Sequence, residues 1–492
     1  DVMDQARAEK WAAPGKFPEW TERIKFFGDV RMRYEGNYFP AGNDNSGSFP
    51  NFNAINTGAP FDTSGTTFSP QNNVDQLRER LRLRARLGVD VNLESGWSAG
   101  IRIATGNDNS PVTANQTFGL ANQAQGGYFS KYAIWLDRGF IKYEVGGKPE
   151  GSLSLSFGRF DNPFFTTSEI IWDEDVGFDG IALKARYEIC SGVTPFVAGG
   201  FFPIFNTDFN FSSNQPAKYQ STDKWLYAAQ FGFDLKFDRH ASAKLAVSYF
   251  DFQGVEGQPS DPYIPFNASD ASNTDITRPS FAQKGNTYRA IRNIVPDALN
   301  NFGTSNQFQY FGLASPFQVL SYAARLDFNY FEPFQVSLLG EYAKNLGFDK
   351  SKIEKTAVNN RGPIPATTAT PTTTTNPDGT TTTTSTPPPV GAYEGGDTAW
   401  NLGLVVGKPV FEKAGDWSVN FGYRYVESDA VLDSFTDSDF AGGSTNVKGY
   451  TVGASVALSP RVKFGVRWMG ATQIAGPPLK SDVMLIDLSA KF

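Results

Sequence analysis

Cysteine and histidine are almost absent: Cys190 and His240 are the only ones in 492 residues. A lone cysteine excludes a disulfide framework and a cysteine-based metal cluster, and a lone histidine removes most zinc sites and histidine-dependent triads. Methionine is scarce, at four residues. No stretch approaches the ~18 consecutive apolar residues that a membrane helix needs. An excess of positive charge is missing too. The formal net charge of -7 argues against a general nucleic-acid binder, whose phosphate contacts need a basic surface. A chain opening at Asp1 is expected to be a mature form whose targeting segment has been removed.

What is abundant is aromatic and small: Phe 43, Tyr 19, Trp 9 and Gly 48. Such a chain is either water-soluble or crosses a membrane as strands, in which apolar and polar residues alternate and average away. The stretch QLRERLRLRARLGVDVN, from Gln76 to Asn92, decides between them. Arg78, Arg80, Arg82, Arg84 and Arg86 occupy every second position, and Leu81, Leu83, Ala85, Leu87, Val89 and Val91 occupy the others. A helix would scatter the two sets, whereas a strand sends them to opposite faces. At ~3.3 Å per residue the arginines span ~27 Å, close to the thickness of a bilayer's hydrocarbon core. One face suits lipid, and the other must meet water or counter-charge.

The same rhythm recurs along the chain. Strand one, 23–35, sends Ile24, Phe26, Val30, Met32 and Tyr34 outward and Lys25, Asp29, Arg31, Arg33 and Glu35 inward. Trp97, Ala99, Ile101 and Ile103 alternate with an inward set that includes Arg102. Further strands are predicted near 131–145, 151–160, 180–190, 193–204, 224–237, 241–252, 318–331, 334–346, 398–408, 416–427, 446–459, 461–470 and 481–492. In 131–145 the phase that puts Ile141 and Tyr143 outward also puts Asp137 there, which a bulge or a shorter strand would repair. The count is about sixteen strands, with short and long connections in strict alternation. That is an all-β fold: a transmembrane antiparallel β-barrel with short periplasmic turns and long extracellular loops, wide enough for an aqueous channel. Aromatics fall repeatedly near strand ends, where interfacial girdles belong.

Two segments divide the chain. Residues 1–22 are expected to be a periplasmic N-terminal segment, a short helix or a tail, and 23–492 the barrel. Its large loops are 253–317 and 347–397, the latter carrying ATTATPTTTTNPDGTTTTTSTPPP, which cannot bury a core and is expected to be disordered outside the cell.

The final strand, closing on Phe492, resembles the signal by which outer-membrane barrels of Gram-negative bacteria are recognised for insertion. The stretches GRFDNPFFTTSEIIWDEDVGFDG (158–180), RIKFFGDVRMRYEG (23–36) with RERLRLRARLGV (78–89), and NTYRAIRNIVPDALNN with QYFGLAS (286–315) resemble the "putative porin" family of proteobacterial outer-membrane proteins, from about Trp11 to Phe492. GRFDNPF is similar, more distantly, to the phosphate-selective porins. The Thr/Pro insertion departs from the family. The resemblance implies a bacterial outer-membrane diffusion channel that is not an enzyme and needs no cofactor. Its partners would be outer-membrane lipid, lipopolysaccharide and small hydrophilic solutes, and by analogy with sixteen-stranded porins it would be a homotrimer.

Two constellations carry candidate function. Five guanidiniums cannot be buried dry, because desolvating unpaired charge costs several kcal/mol each. Arg78, Arg80, Arg82, Arg84 and Arg86, with Arg31, Arg33 and Arg102 on neighbouring strands, therefore form a basic lumen wall that attracts anions, or a solvated wall paired with acids such as Asp29, Glu35, Glu79 or Asp90. The third long connection, Asp161 to Val176, sets Asp173, Glu174 and Asp175 behind Pro163-Phe164-Phe165 and Ile170-Ile171-Trp172. It is expected to fold inward and constrict the pore. A surface or lid loop and a calcium-binding loop are the alternatives. His240 falls in a turn, as a solvated residue. The competing functions are an adhesin or display barrel with a plugged lumen, and an outer-membrane hydrolase, for which the lone histidine is badly placed.

Overall fold

The computed structural model describes residues 19–65, 68–107, 109–119, 127–147, 151–207, 222–364, 372–375, 381–384 and 390–492. Alternation of apolar and polar residues drives sixteen long strands into one closed antiparallel barrel. They are β1 (Ile24–Tyr38), β2 (Arg78–Glu94), β3 (Trp97–Ala104), β4 (Trp135–Gly147), β5 (Gly151–Asp161), β6 (Gly177–Tyr187), β7 (Val193–Phe205) and β8 (Lys224–Lys236). Then follow β9 (Ala241–Gln253), β10 (Phe317–Phe331), β11 (Phe334–Asn345), β12 (Thr398–Gly407), β13 (Trp417–Val426), β14 (Val447–Ser459), β15 (Val462–Gln473) and β16 (Lys480–Lys491). Each pairs with its chain neighbours, and β1 pairs with β16 to close the cylinder from Asp29↔Lys491 to Tyr38↔Asp482. Closure removes every free edge, which a strand in lipid cannot leave unpaired. Gly28 and Phe492 exchange two 3.0 Å backbone hydrogen bonds at the seam. The Phe492 ring lies so close to Gly28 that a Cβ there would meet it at 2.7 Å.

The strand positions agree closely with the alternation pattern, and the outer face is apolar as expected: Leu81 is 54% exposed, Ile101 60% and Phe231 49%. Aromatic pairs mark both rims, Trp97 with Tyr143 and Phe334 with Trp417 at the short-turn end, and Tyr38 with Trp468 and Trp400 with Tyr423 at the other. Three details differ. β6 lies three residues earlier than the 180–190 pattern suggests, because Gly177 pairs with Asp161 and the strand starts directly out of the preceding loop. β3 is short. Its place beside the upper part of β2 is taken by Gln116–Thr117, opposite Leu83 and Arg82. Asp137 is accommodated by a bulge, since Arg102 faces Arg138 while Ile103 faces Leu136. The bulge turns both Asp137 and Arg138 to the lumen, where each binds an oppositely charged neighbour.

The long connections all leave the same end: L1 39–77, L2 105–134, L3 162–176, L4 206–223, L5 254–316, L6 346–397, L7 427–446 and L8 474–479. They are not simple surface excursions. Among the inward side chains of the upper barrel, Phe160, Phe178, Phe202, Leu226, Phe250, Phe252, Phe317 and Val319 are apolar and buried. They join L3, L5 and L7 in one hydrophobic cluster inside the barrel mouth. L5 is locked there by Asn286, whose amide donates to Ser428 O (2.6 Å) and Val431 O (2.8 Å) of L7. Within the Thr/Pro-rich run, 372–375 and 381–384 pair as an antiparallel hairpin. The rest of the run and residues 1–18, on which the expectations of disorder and of an N-terminal helix or tail fall, lie outside the described residues.

The face assignment makes a direct prediction. Phe231→Arg, placed mid-strand on the outer face of β8, should destabilise the barrel by ~2–4 kcal/mol in equilibrium refolding into lipid vesicles. An unchanged midpoint would mean that this face does not meet lipid.

Candidate functional site

The arginines of β2 face the lumen beside those of β1, and the strand register decides their chemistry. Arg31 stands directly opposite Arg84 and Arg33 opposite Arg82, while Asp29 stands opposite Arg86 and Glu35 opposite Arg80. Two like-charged pairs across adjacent strands repel, so carboxylates must be brought between them. Glu35 binds both Arg80 and Arg82, the latter at 2.8 Å. Asp29 binds Arg84 at 3.2 Å and Arg86 at 2.6 Å. Asp487 of β16 grips Arg33 in a two-pronged pair at 2.7 and 2.9 Å. Arg33 is only 2% exposed, a burial that without such partners would cost several kcal/mol. The pairing expected with Asp29 and Glu35 is therefore present. Glu79 takes the other face, where it accepts the Tyr34 hydroxyl at 2.6 Å. Arg78 is exposed at the upper end of β2 and makes no ion pair among the described residues.

The remaining counter-charges arrive on loops. L3 leaves β5, and its segment around Thr167 and Ser168 reaches β11, where the Thr167 and Ser168 amides donate to the inward Glu341 at 3.1 and 2.8 Å. On the way the Phe165 amide donates to Gln230 of β8 at 2.8 Å. It then returns to the arginine wall. Glu174 binds Arg84 at 2.9 Å and Arg31 at 3.5 Å, bridging one repelling pair. Asp175 binds Arg86 at 3.2 Å and Arg84 at 3.4 Å. A loop rooted between β5 and β6 that touches β8, β11 and β2 crosses the barrel interior. Its apolar residues hold it there: Phe164, Ile170, Ile171 and Trp172 are all buried, each worth ~1.5–3 kcal/mol. The surface-loop alternative does not describe this placement. Among the described residues no cluster of acids has metal-binding geometry.

Asp173, the third predicted acid, does not face the arginines. It joins L3 to L7: the Asp173 amide donates to Phe435 O (2.7 Å), the Ser438 amide donates to its carboxylate (2.9 Å), and the Asp437 amide donates to Glu169 O (3.0 Å). Burial, then the nearby carboxylates of Glu169, Asp437 and Asp175, push the Asp173 carboxyl well above the usual carboxylate range. Burial, then Asp437 and Glu174, does the same to Glu169. L7 also supplies Asp439 to Arg33 (2.6 Å) and Asp437 to Arg424 of β13 (2.8 Å). Burial would raise the Asp439 carboxyl, but Arg33 and Arg467 overrule it and hold it below the usual range.

Arg102 sits apart from the ladder, beside L3's root, bound to Asp137 at 2.5 Å and Asp161 at 3.0 Å. Arg138 completes that group, pairing with Asp161 at 2.6 Å and donating to Asp175 O and Val176 O at 3.3 and 3.2 Å. It thereby holds the end of L3. Sequence reasoning missed Arg138, because the bulge breaks its phase. It also missed Asn115, which accepts from Arg31 at 2.9 Å, and Asp437, Asp439 and Asp487. Only the alternation of 480–491 could have signalled Asp487.

Against this geometry stand the comparisons with known proteins. A family described as putative porin matches residues 1–492. Curated protein sequences contain no match. Among solved structures, the chain is similar to Pseudomonas putida OprB at high pH, with 12% identity, 96% of this chain and 95% of that chain covered, and a TM-score of 0.45. It is similar to the outer membrane channel DcaP of Acinetobacter baumannii, with 11% identity, 95% and 97% covered, and a TM-score of 0.40. Salmonella typhi OmpF, in complex with daunomycin, shows 11% identity, 95% and 97% coverage and a TM-score of 0.37.

The L3–L7 junction predicts a pH dependence. An acid raised in the folded state holds a proton that the unfolded chain has lost above ~4. Its stabilisation is therefore complete at low pH and declines as pH rises through the raised value. Amide protection of Ser438 and of Asp175, whose amide also donates to the Asp173 carboxylate at 2.8 Å, corrected for intrinsic exchange, should fall as pH rises above the ordinary carboxylate range, and Asp173→Asn should flatten the change. A pH-independent protection in the native sequence would contradict the assignment.

Proposed function

The chain belongs to the putative porin family of outer-membrane β-barrel channels, and from that premise we propose that it passes small hydrophilic solutes by diffusion with a preference for anions. The observation that carries this reading is the apposition of Arg31, Arg84 and Arg86 on the barrel wall to Glu174 and Asp175 on the crossing loop. These contacts hold L3 against the charged wall, and the resulting array of close ion pairs presents a strongly polar surface beside the remaining lumen that orients a passing dipole. L3 acts as the constriction in this reading.

The preference for anions comes from what the carboxylates leave over. Arg78, at the outer end of the ladder, makes no ion pair among the described residues. On the periplasmic side Lys463 of β15 and Lys491 of β16 line a lumen recess and make no ion pair among the described residues. Charged rings of one sign are a general basis of pore selectivity. The ladder itself, being matched by acids, contributes mainly that polar surface. Outer-membrane lipid surrounds the barrel, and lipopolysaccharide and assembly as a trimer belong to the proposal. No catalytic role is assigned: His240 stacks on Tyr330 in the β8–β9 turn, away from the charged site.

A second reading, a surface barrel with a plugged lumen, is favoured by one observation, the aromatic cluster that fills much of the barrel mouth. Single-channel conductance separates the two, since a plugged barrel passes little current.

In a tenfold KCl gradient the native barrel should show an anion-selective reversal potential. Replacing Arg80, Arg82 and Arg84 together by Gln removes both partners of Glu35 and one each from Asp29 and Glu174 and should shift that potential toward cations. Unchanged selectivity would remove the ladder from the mechanism.

A further inference from the structure

Nearly every arginine in the upper lumen has a carboxylate against it, which makes two inward cations on β6 stand out. Lys184 and Arg186 occupy successive lumen-facing positions, ~6.6 Å apart along the strand. Their flanking neighbours carry no charge: Ser154 and Ser152 on β5 stand opposite Lys184 and Arg186, and Ala198 and Phe196 on β7 stand opposite them on the other side. Neither cation makes an ion pair among the described residues. Glu144, two strands away, is already bound by Lys142. Asp234 is opposite Lys244 in the β8–β9 register.

The two cations open onto a recess of about 780 Å³ beneath L3. Its roof includes Phe165, packed edge-to-face on Phe196 at 6.4 Å. Lys244 reaches over both rings, 4.4 Å from Phe165 and 4.8 Å from Phe196. Carboxylates also line the recess, but Glu144 is held by Lys142 and Glu174 by Arg84, Asp234 stands opposite Lys244, and Glu169 and Asp173 belong to the L3–L7 junction. The recess thus joins two cations that make no ion pair among the described residues, serine hydroxyls and a small apolar surface. Cations without an ion pair among the described residues, in a partly desolvated recess, favour an anion. Adjoining rings favour one with an organic body, because an inorganic ion has no apolar area to bury.

We infer that the recess under L3 is a binding subsite for small organic carboxylates, with the carboxylate on Lys184 and Arg186 and the apolar body against Phe165 and Phe196. The inference deepens the anion-channel reading and rests on it for its role in passage, but binding itself does not require conduction.

The test is calorimetric titration of the folded barrel in detergent with benzoate, inorganic phosphate and benzylammonium. Benzoate should bind more tightly than phosphate, and benzylammonium should not compete. In Lys184→Gln/Arg186→Gln, benzoate affinity should drop about tenfold, and Phe196→Ser should weaken benzoate while leaving phosphate unchanged. Heat-modifiable gel migration confirms that each variant is folded, and Arg239→Gln, in the exposed turn between β8 and β9, should bind as the native barrel does. If benzoate does not bind, or binds the double variant equally well, the subsite is overturned. Phosphate matching benzoate overturns its organic character. Failure of the channel reading would show separately, as absence of anion-selective current with benzoate binding intact.

Discussion

Two pairs of arginines facing each other across β1 and β2 are the constraint on which the upper lumen depends. Arg31 opposite Arg84 and Arg33 opposite Arg82 cannot stand side by side in a confined space unless negative charge is placed between them. The barrel wall supplies part of it, through Asp29, Glu35 and Asp487. The rest comes from L3 and L7, whose Glu174, Asp175 and Asp439 reach the same side chains. Loop placement and wall charge are therefore one problem. The arginines hold the loops' acids, and the loops' acids make the arginines tolerable.

The opposite side of the lumen meets a different requirement. There the inward positions of β5 to β10 are aromatic and aliphatic in the upper barrel, an arrangement that would be costly around open water. L3, L5 and L7 cover them. L3 consequently has two faces, apolar residues toward that cluster and acids toward the arginines. Its path across the interior follows from satisfying both walls at once. What room remains for solute lies along the charged side and in the wider periplasmic half, where serines, lysines and arginines replace the aromatics.

Much of the fold was legible because a period of two is a local signal. Alternation in Arg78–Val91 separates a lipid face from a lumen face without knowledge of any neighbour. The same rule located the other strands to within a few residues. It failed where the backbone breaks the period: at Asp137 a bulge turned a residue inward that the phase had sent outward, and Arg138 was overlooked with it. It was also blind to burial inside the barrel. Inward Phe250 or Phe317 reads as an anomaly in a water-filled pore and makes sense only once L3, L5 and L7 are seen to pack on it.

By itself, then, the sequence determined the class of fold, the faces of the strands and the signs of the charges on them, because each depends on residues within one strand. Glu174 and Asp175 were also recognisable as acids on an amphipathic loop. Which arginine each acid meets was decided by tertiary structure alone, since it depends on strand register and on how far L3 and L7 reach across the lumen. The same holds for Asp173, which turned to L7, and for Lys184 and Arg186, whose lack of ion pairs among the described residues follows from their neighbours on β5 and β7. A cation's sign is written in its side chain, but whether it remains free to act is set by what the fold places opposite it.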